Sequence, residues 1–141
     1  LSGAIANGGA VLAAQSMGAD LAYIGSAFIA TDEANADNKY KEMIALSSAD
    51  DIVYTNLFTG VHGNYLKPSI KAQGMDPENL ENSDSSKMNF SSGASKPKNW
   101  KDIWGSGQGI SAVKSVGPAK LLIKRLKEEY EESKKRILNK Y

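Results

Sequence analysis

The sequence predicts an α/β protein with a parallel sheet, and three observations support that fold class. The chain opens on LSGAIANGG, in which Leu1 leads into a turn of residues with almost no side chain. The segment GAVLAAQSM then has the pattern of a short helix and ends before Gly18, a residue type that helix C-termini favour. Residues 21–24 form a continuous apolar run between Gly18 and Gly25, typical of a strand buried on both faces. The resulting βαβ order predicts parallel strands.

Local signals predict more elements further along the chain. Asp37 is placed to cap a helix, and DDIVYT, residues 50–55, has the pattern of a short strand. The segment KPSIKAQG, residues 67–74, has Pro68 near its start and Gly74 past its end, which predicts a helix of two turns. The helix after Asp37 carries four apolar residues: Tyr40, Met43, Ile44 and Leu46.

The rest of the chain divides into an irregular stretch and a long helix. Residues 76–99 hold clusters of serine and asparagine with few apolar anchors, so we expect an extended surface excursion. The segment from 118 to 141 predicts a helix with a polar side and an apolar side. The apolar side consists of Leu122, Leu126, Tyr130 and Ile137.

The composition of the 141 residues, 41% hydrophobic and 23% charged, is that of one soluble globular domain. Seventeen basic and sixteen acidic residues give a formal charge of +1, which indicates neither nucleic acid nor a membrane as partner. The lack of cysteine excludes disulfides and thiolate ligands, and the apolar stretches are shorter than the ~20 residues that span a bilayer. We therefore expect a cytoplasmic protein. Because Leu1 leads straight into a turn, we expect a fragment that lacks the preceding strand.

Two small-residue turns stand where ligands bind in parallel α/β proteins. Gly3 and Ala4 follow the first predicted strand, and Gly25 and Ser26 follow the second, one helix later. Ligands bind at the carboxyl ends of parallel strands, and the amides of residues without bulk can approach a phosphate closely. The alternative is that both turns are tight connections without a ligand.

Five stretches give the chain a family resemblance. GAIANG and GADLAYIGSAFIAT resemble segments of the flavin-dependent nitronate monooxygenases, and the likeness continues through TDEANADNKYKEMI, LFTGVHGNYLKPSI and WKDIWGSGQGI. The resemblance implies the C-terminal portion of a TIM (β/α)8 barrel, its last two βα units, with an added mainly helical domain after strand 8. Residues 1–30 would hold the end of strand 7, helix 7, strand 8 and the FMN phosphate site. Residues 31–112 would form the added domain, and 113–141 a helix that packs back on the barrel.

The resemblance also implies which residues bind the cofactor FMN. Two turns would offer backbone donors to its phosphate, and the Gly-Gln pair of GSGQG would approach the flavin from the added domain. The chain departs from the family pattern at Ala4, which replaces a glycine, at Ala27, which replaces an arginine, and at Ser106, which replaces an alanine. An alanine at position 4 suits a negative φ and is strained at a positive one. The cofactor-binding residues implied are Gly3, Ala4, Gly25, Ser26, Gly107 and Gln108.

No catalytic residue is predicted in this chain, because the family's catalytic histidine belongs to an upstream segment. His62 in GVHGN does not match that motif, and we expect a loop residue with a local hydrogen bond, or else a contact at the substrate entrance. One histidine and no cysteine make neither a zinc site nor a catalytic triad. Trp100 and Trp104 predict packing, with flavin stacking as the alternative, and Asp50 with Asp51 predicts a solvated turn.

The function implied by the resemblance is FMN-dependent oxidation of alkyl nitronates by O2 to a carbonyl compound and nitrite. The chain would supply the phosphate anchor and part of the substrate wall, and a missing N-terminal part of the same protein would supply the remainder. Alone, the fragment is expected to be inactive. Two alternatives stay open: an FMN-dependent enoyl reductase that uses NAD(P)H, and a non-catalytic module that binds a phosphate ligand.

Overall fold

The structure, a computed structural model, describes residues 1–81 and 102–140. Most of the predicted excursion at 76–99, and Trp100, lie outside the described residues. The helices are α1 (Gly8–Ser16), α2 (Ser26–Ile29), α3 (Asn38–Leu46), α4 (Lys67–Ala72) and α5 (Ala119–Leu138). The strands are β1 (Ile52–Thr55) and β2 (Gly63–Leu66), and 3-10 helices cover Ala49–Asp51 and Gln108–Ala112.

The chain forms two compact units. The first unit comprises Leu1–Ala49 and Gly107–Tyr141, and the second comprises Asp50–Ser106. Residues 31–49 and 107–112, which were predicted to belong to an added domain, have their contacts in the first unit. The division into barrel and added domain stays a prediction.

In the first unit, α1 crosses α5 so closely that no side chain fits at Gly8. A Cβ at Gly8 would lie 2.2 Å from both the Leu126 carbonyl oxygen and the Tyr130 amide nitrogen. The Tyr130 hydroxyl also donates to Gln15 Oε1 at 2.6 Å. The predicted end of α1 is confirmed, because Gly18 follows the helix with a φ of +89°.

The prediction of strands before Gly3 and at residues 21–24 was wrong, because neither segment forms a strand in the described structure, although the two are hydrogen-bonded to each other in parallel. The Leu1 amino nitrogen donates to the Leu21 carbonyl at 2.7 Å, and the Tyr23 amide donates to the Leu1 carbonyl at 2.8 Å. This alternation around one residue is the hydrogen-bond pattern of a parallel pair. The prediction of burial on both faces was wrong, because Leu21 is 80% exposed and Tyr23 is 72% exposed. Within the described residues, nothing covers the face that carries these two side chains.

The long helix α5 is covered over only part of its length. Leu122, Leu126 and Tyr130 are partly buried, whereas Ile137 is 51% exposed. Ile137 lies beyond the contact with α1, since Gly8 meets α5 at Leu126 and Tyr130 and Gly9 meets it at Ser133. No helix in the described part of the chain combines the length and apolar character that crossing a bilayer requires.

A glutamate from a distant loop caps the amino terminus of α5. Pro118 precedes the helix and provides no side-chain cap, but Glu33 Oε2 accepts a hydrogen bond from the Ala119 amide at 2.8 Å. The same loop forms a parallel bridge between Thr31 and Gly117, with the Asp32 amide donating to the Gly117 carbonyl at 3.0 Å. The Ala119 hydrogen bond lowers the pKa of Glu33, and the nearby Lys41 adds to that effect.

The second unit contains an antiparallel pair and one short helix. Strand β1 pairs with β2 from Ile52 opposite Leu66 to Thr55 opposite Gly63. The prediction of β1 is confirmed, and so is that of α4, which has Pro68 in its first turn and is followed by Gly74 at a φ of +77°. Strand β2 was not predicted.

The segment that contains Trp104 adds backbone pairing to β2. The Leu66 amide donates to the Trp104 carbonyl at 2.8 Å, and Tyr65 forms an antiparallel bridge with Gly105. The Trp104 amide in turn donates to Ser69 Oγ at 3.1 Å. The segment is therefore held against β2 and α4. The buried residues in this region include the apolar Leu66, Ile70 and Ile103 and the polar Ser69.

Candidate functional site

The two predicted phosphate-binding turns lie at the same end of the parallel pair. Leu1 hydrogen-bonds to Leu21 and Tyr23, so the chain enters both turns in the same direction from neighbouring segments. Gly3 comes two residues after Leu1, and Gly25 comes two residues after Tyr23. We call Gly3 with Ala4 the first corner, and Gly25 with Ser26 the second corner.

The first corner has a left-handed backbone. Gly3 has a φ of +100° and Ala4 a φ of +52°. The departure from glycine at position 4 therefore falls on a conformation that L-residues rarely adopt, and it places strain there. Across residues 1–81 and 102–140, no acceptor bonds the backbone N–H of Gly3 or Ala4, and both residues are exposed. These two N–H groups are available to a ligand.

The second corner begins the short helix α2. The Gly25 carbonyl accepts hydrogen bonds from the amides of Phe28 at 2.9 Å and Ile29 at 3.2 Å, which closes the first turn of the helix. The first N–H groups of a helix have no acceptor within it. Among the described residues, none accepts a hydrogen bond from the amides of Gly25 and Ser26. The second corner thus offers donors of the same kind as the first.

The GQG segment, defined as Gly107, Gln108 and Gly109, contacts both corners. The Gly107 amide donates to Ser26 Oγ at 2.8 Å. A Cβ at Gly109 would lie 2.7 Å from the Ala4 carbonyl oxygen, so only glycine fits at this approach. The six predicted cofactor-binding residues are therefore brought together within the first unit. Gln108 lies between the two contacts and is exposed.

Two charged residues on α5, which the sequence analysis did not identify, hydrogen-bond to the backbone of segments next to the site. Arg125 on α5 donates from Nη1 to the Ala112 carbonyl at 2.7 Å and from Nη2 to the Ala6 carbonyl at 3.1 Å. Its Nε lies 3.7 Å from Glu129 Oε1. Glu129 Oε2 accepts a hydrogen bond from the Gly8 amide at 2.8 Å. The only sequence signal was an Arg and a Glu four residues apart on a helix, which usually marks a solvated pair.

The other residues considered from the sequence lie in the second unit. His62 lies in the loop between β1 and β2, where its ring stacks on Tyr54 with centroids 4.9 Å apart. Its predicted local hydrogen bond stays a prediction, as does its contact with substrate. Asp50 and Asp51 lie in a 3-10 turn, and Asp51 has a partner. Ser106 is buried, and its hydroxyl has no hydrogen-bond partner in the described part of the chain.

No metal centre emerges from the geometry. Within residues 1–81 and 102–140, no three His, Cys, Asp or Glu side chains come close enough to hold an ion. The candidate site is instead built from backbone amides, one serine hydroxyl and a neutral glutamine. This set of donors suits an anion such as phosphate.

The first unit consists of helices and a pair of parallel hydrogen-bonded segments, with the two amide-bearing corners at one end of that pair. Residues 2–129 match the family model described as nitronate monooxygenase, and the chain belongs to that family. A probable nitronate monooxygenase of Staphylococcus haemolyticus is 24% identical over 113 residues, covering 76% of this chain and 31% of that protein. A second, from Staphylococcus saprophyticus, is 37% identical over 59 residues, covering 42% of this chain and 17% of that protein. The chain thus spans less than a third of the length of these curated relatives.

Two solved structures resemble the chain over nearly its whole length. FabK from Thermotoga maritima superimposes with a TM-score of 0.69 and 20% identity, covering 99% of this chain and 46% of FabK. Nitroalkane oxidase from Streptomyces ansochromogenes gives a TM-score of 0.66 and 23% identity, covering 96% of this chain and 40% of that protein. At these identities the likeness shows the fold alone. It supports an α/β fragment of a larger fold.

Proposed function

We propose that the protein is a flavin-dependent oxidoreductase and that this chain holds the phosphate of FMN. The observation that carries the proposal is the pairing of the two corners, whose unbonded amides lie at one end of the parallel pair. Membership of the nitronate monooxygenase family supports the assignment as an oxidoreductase. We further propose the C-terminal part of a (β/α)8 barrel as the fold, because phosphate sites in such barrels commonly use the loops after the last two strands.

The first corner fits a phosphate for steric reasons. Apart from the chain neighbours of Gly3, no atom of the described residues lies within 4 Å of the position that a Cβ would take there, so a bulky anion can approach this backbone. Gly3 and Ala4 are both exposed residues, and their amides can donate to phosphate oxygens. Successive backbone N–H groups of this kind form concavities that bind anions.

Ser26 contributes a hydroxyl to the second corner. Its Oγ accepts the Gly107 N–H, so its own proton remains to be donated. That proton would go to a phosphate oxygen. Ser26 would then join the phosphate to the GQG segment, and Gln108 would present a neutral amide at the cofactor.

FMN supplies the electron transfer when it is bound, and the protein supplies binding, orientation and polarity. In the proposed reaction a nitronate is oxidised with O2 to a carbonyl compound and nitrite. This chain provides the phosphate anchor and one wall around the cofactor. Because the chain spans under a third of its curated relatives, we propose that the remaining strands and the catalytic base come from polypeptide outside these residues.

A charge introduced at the second corner tests the phosphate assignment. Gly25 has a φ of −105°, which an L-residue can adopt, and an added Cβ there would meet nothing closer than 3.9 Å. Gly25→Asp places a negative charge at the site, and Gly25→Asn is a neutral control of the same shape. We expect Gly25→Asp to weaken FMN binding relative to Gly25→Asn on the order of tenfold or more, from like-charge repulsion.

Riboflavin, which lacks the phosphate, provides the internal control for this titration. Its affinity should be equal in Gly25→Asp and Gly25→Asn. Equal FMN affinity in the two variants would show that no phosphate lies near Gly25. The titrations are done on the full-length protein and on the 141-residue chain. Retention of FMN by the chain alone would favour a self-contained module over an enzyme fragment.

Activity measurements distinguish the two enzymatic hypotheses, nitronate oxidation and enoyl reduction. Oxygen-dependent release of nitrite from an alkyl nitronate is the expected activity of the full-length protein. Oxidation of NAD(P)H that depends on an enoyl thioester would support the enoyl-reductase alternative instead. The likeness to FabK does not decide between them, because an identity of 20% supports the fold alone.

A further inference from the structure

Arg125 bonds two segments that flank the candidate site. Its Nη1 donates to the Ala112 carbonyl at 2.7 Å, and its Nη2 donates to the Ala6 carbonyl at 3.1 Å. A guanidinium is planar and always charged, so its N–H groups hold two acceptors in a fixed relation. A flexible ammonium cannot fix two carbonyls in this way.

The two carbonyls belong to the segments that carry the site's donors. Ala6 follows the first corner by two residues and is 2% exposed. Ala112 ends the 3-10 helix that begins at Gln108, and Ile110 within that helix is fully buried. At their other ends the same two segments meet where Gly109 packs against the Ala4 carbonyl. The first corner and the GQG segment are thus joined at two points.

Glu129 pairs with the guanidinium at its Nε, an atom that neither carbonyl uses. Its Oε1 lies 3.7 Å from Arg125 Nε, and its Oε2 accepts the Gly8 amide at 2.8 Å. Gly8 begins α1 and lies four residues after Ala4 of the first corner. The carboxylate therefore ties Arg125 to the start of α1.

The neighbouring ion pair on α5 shows that this arrangement differs from an ordinary helix pair. Lys124 Nζ lies 3.7 Å from Glu128 Oε1, which matches the Arg125–Glu129 distance, at the same spacing of four residues. The Lys124 and Glu128 side chains are 69% and 62% exposed, whereas those of Arg125 and Glu129 are 34% and 33% exposed. Lys124 is therefore a matched control that lacks the contacts to the site.

We propose that Arg125 is a positioning residue for the flavin phosphate site. By holding the Ala6 and Ala112 carbonyls together, it sets the spacing between the first corner and the GQG segment. The preference for FMN over riboflavin then depends on Arg125, although its side chain hydrogen-bonds to neither the first corner nor the GQG segment. This proposal rests on the proposed function for its ligand. The two hydrogen bonds by which Arg125 joins the Ala6 and Ala112 carbonyls are a property of the chain itself.

Three variants of the full-length protein test the proposal. Arg125→Met removes both hydrogen bonds and keeps the aliphatic stem. Arg125→Lys keeps the positive charge but loses the planar guanidinium with its two donating nitrogens. Lys124→Met is the control. The FMN and riboflavin affinities are measured for each. We expect Arg125→Met and Arg125→Lys to reduce the ratio of the two affinities on the order of tenfold, since small misplacements of binding groups are costly. Lys124→Met should leave the ratio unchanged.

A purely structural role for Arg125 would weaken FMN and riboflavin binding equally and leave their ratio unchanged. That result would overturn the proposal, and so would full recovery of the ratio in Arg125→Lys. Hydrogen exchange gives a readout without flavin. We expect the amides of 108–112 and 5–8 to exchange faster in Arg125→Met than in Lys124→Met.

The exchange measurement also separates this proposal from the proposed function. If the amides of 108–112 and 5–8 exchange no faster in Arg125→Met, Arg125 does not hold the two segments together, whatever the flavin affinities are. If the wild-type protein does not prefer FMN to riboflavin, the phosphate assignment fails, and the exchange measurement still decides whether Arg125 holds the two segments.

Discussion

The hydroxyl oxygen of Ser26 accepts a hydrogen bond from the Gly107 amide, 81 positions further along the chain, at 2.8 Å. This bond connects the second corner to the GQG segment. Ser26→Ala would leave the partly buried Gly107 N–H without its acceptor, and we expect a loss of about 1 kcal/mol in the free energy of unfolding. Ser26→Thr keeps the hydroxyl and should retain most of the stability. Urea unfolding measures both variants, and equal losses in the two would contradict the role of the bond.

Gly109 tests the close approach at the first corner. The Cβ of Gly109→Ala would lie 2.7 Å from the Ala4 carbonyl oxygen and 2.8 Å from its carbon, both backbone atoms that cannot move aside easily. We expect a loss of about 1 to 3 kcal/mol in unfolding free energy. Gly117→Ala is the matched control, because a Cβ there meets nothing within 4 Å. Equal urea midpoints for the two variants would show that the segment is not packed against Ala4.

The sequence predicted those elements whose ends are marked by residues close by in the chain. Asp37 caps α3 by accepting the Lys39 amide at 2.8 Å, and Gly18 and Gly74 follow α1 and α4 with positive φ values. A helix can be predicted in this way because its hydrogen bonds and caps join residues within one or two turns. The sequence also predicted that the two corners follow neighbouring parallel segments, as the hydrogen bonds of Leu1 to Leu21 and Tyr23 show.

Features that depend on distant partners could not be predicted. Strand β2 contains Gly63 and Asn64 and lacks a strand-like apolar pattern, so it exists through its pairing with β1 and with the segment around Gly105. The burial predicted for Leu21 failed because burial depends on what packs above a strand. Arg125 was missed because its pattern in the sequence matches that of the exposed Lys124, and only the carbonyls it meets distinguish the two.

Ala4 carries backbone strain that a glycine would relieve. Its φ of +52° makes it the one residue other than glycine with a positive φ in the described ranges. We expect Ala4→Gly to raise the free energy of unfolding by up to about 1 kcal/mol, since the strain outweighs the entropy that glycine adds to the unfolded chain. Ala6→Gly is the control with the opposite sign: its buried methyl is lost without relief of strain, at a cost of about 1 kcal/mol. Destabilisation by both variants in urea would contradict the left-handed conformation at Ala4.

Glu33 makes stability depend on pH through its cap on α5. The hydrogen bond from the Ala119 amide is the largest cause that lowers its pKa below the ordinary value of 4.5, followed by the bond from its own amide. A lowered folded-state pKa means that the unfolded chain binds the proton more tightly. The stabilisation is therefore fully present above pH 4.5 and is lost as the pH falls through the folded-state pKa.

Comparison with Glu33→Gln isolates this contribution. Glutamine still offers an oxygen to the Ala119 amide but carries no charge. The pKa of Asp76 is also lowered, by a hydrogen bond from the Glu78 amide, but its contribution is the same in both proteins and cancels in the difference. Urea unfolding from about pH 7 to about pH 3 should show the wild type more stable at neutral pH and the gap closing in acid. A gap that stays constant or widens in acid would mean that the Glu33 carboxylate does not cap α5.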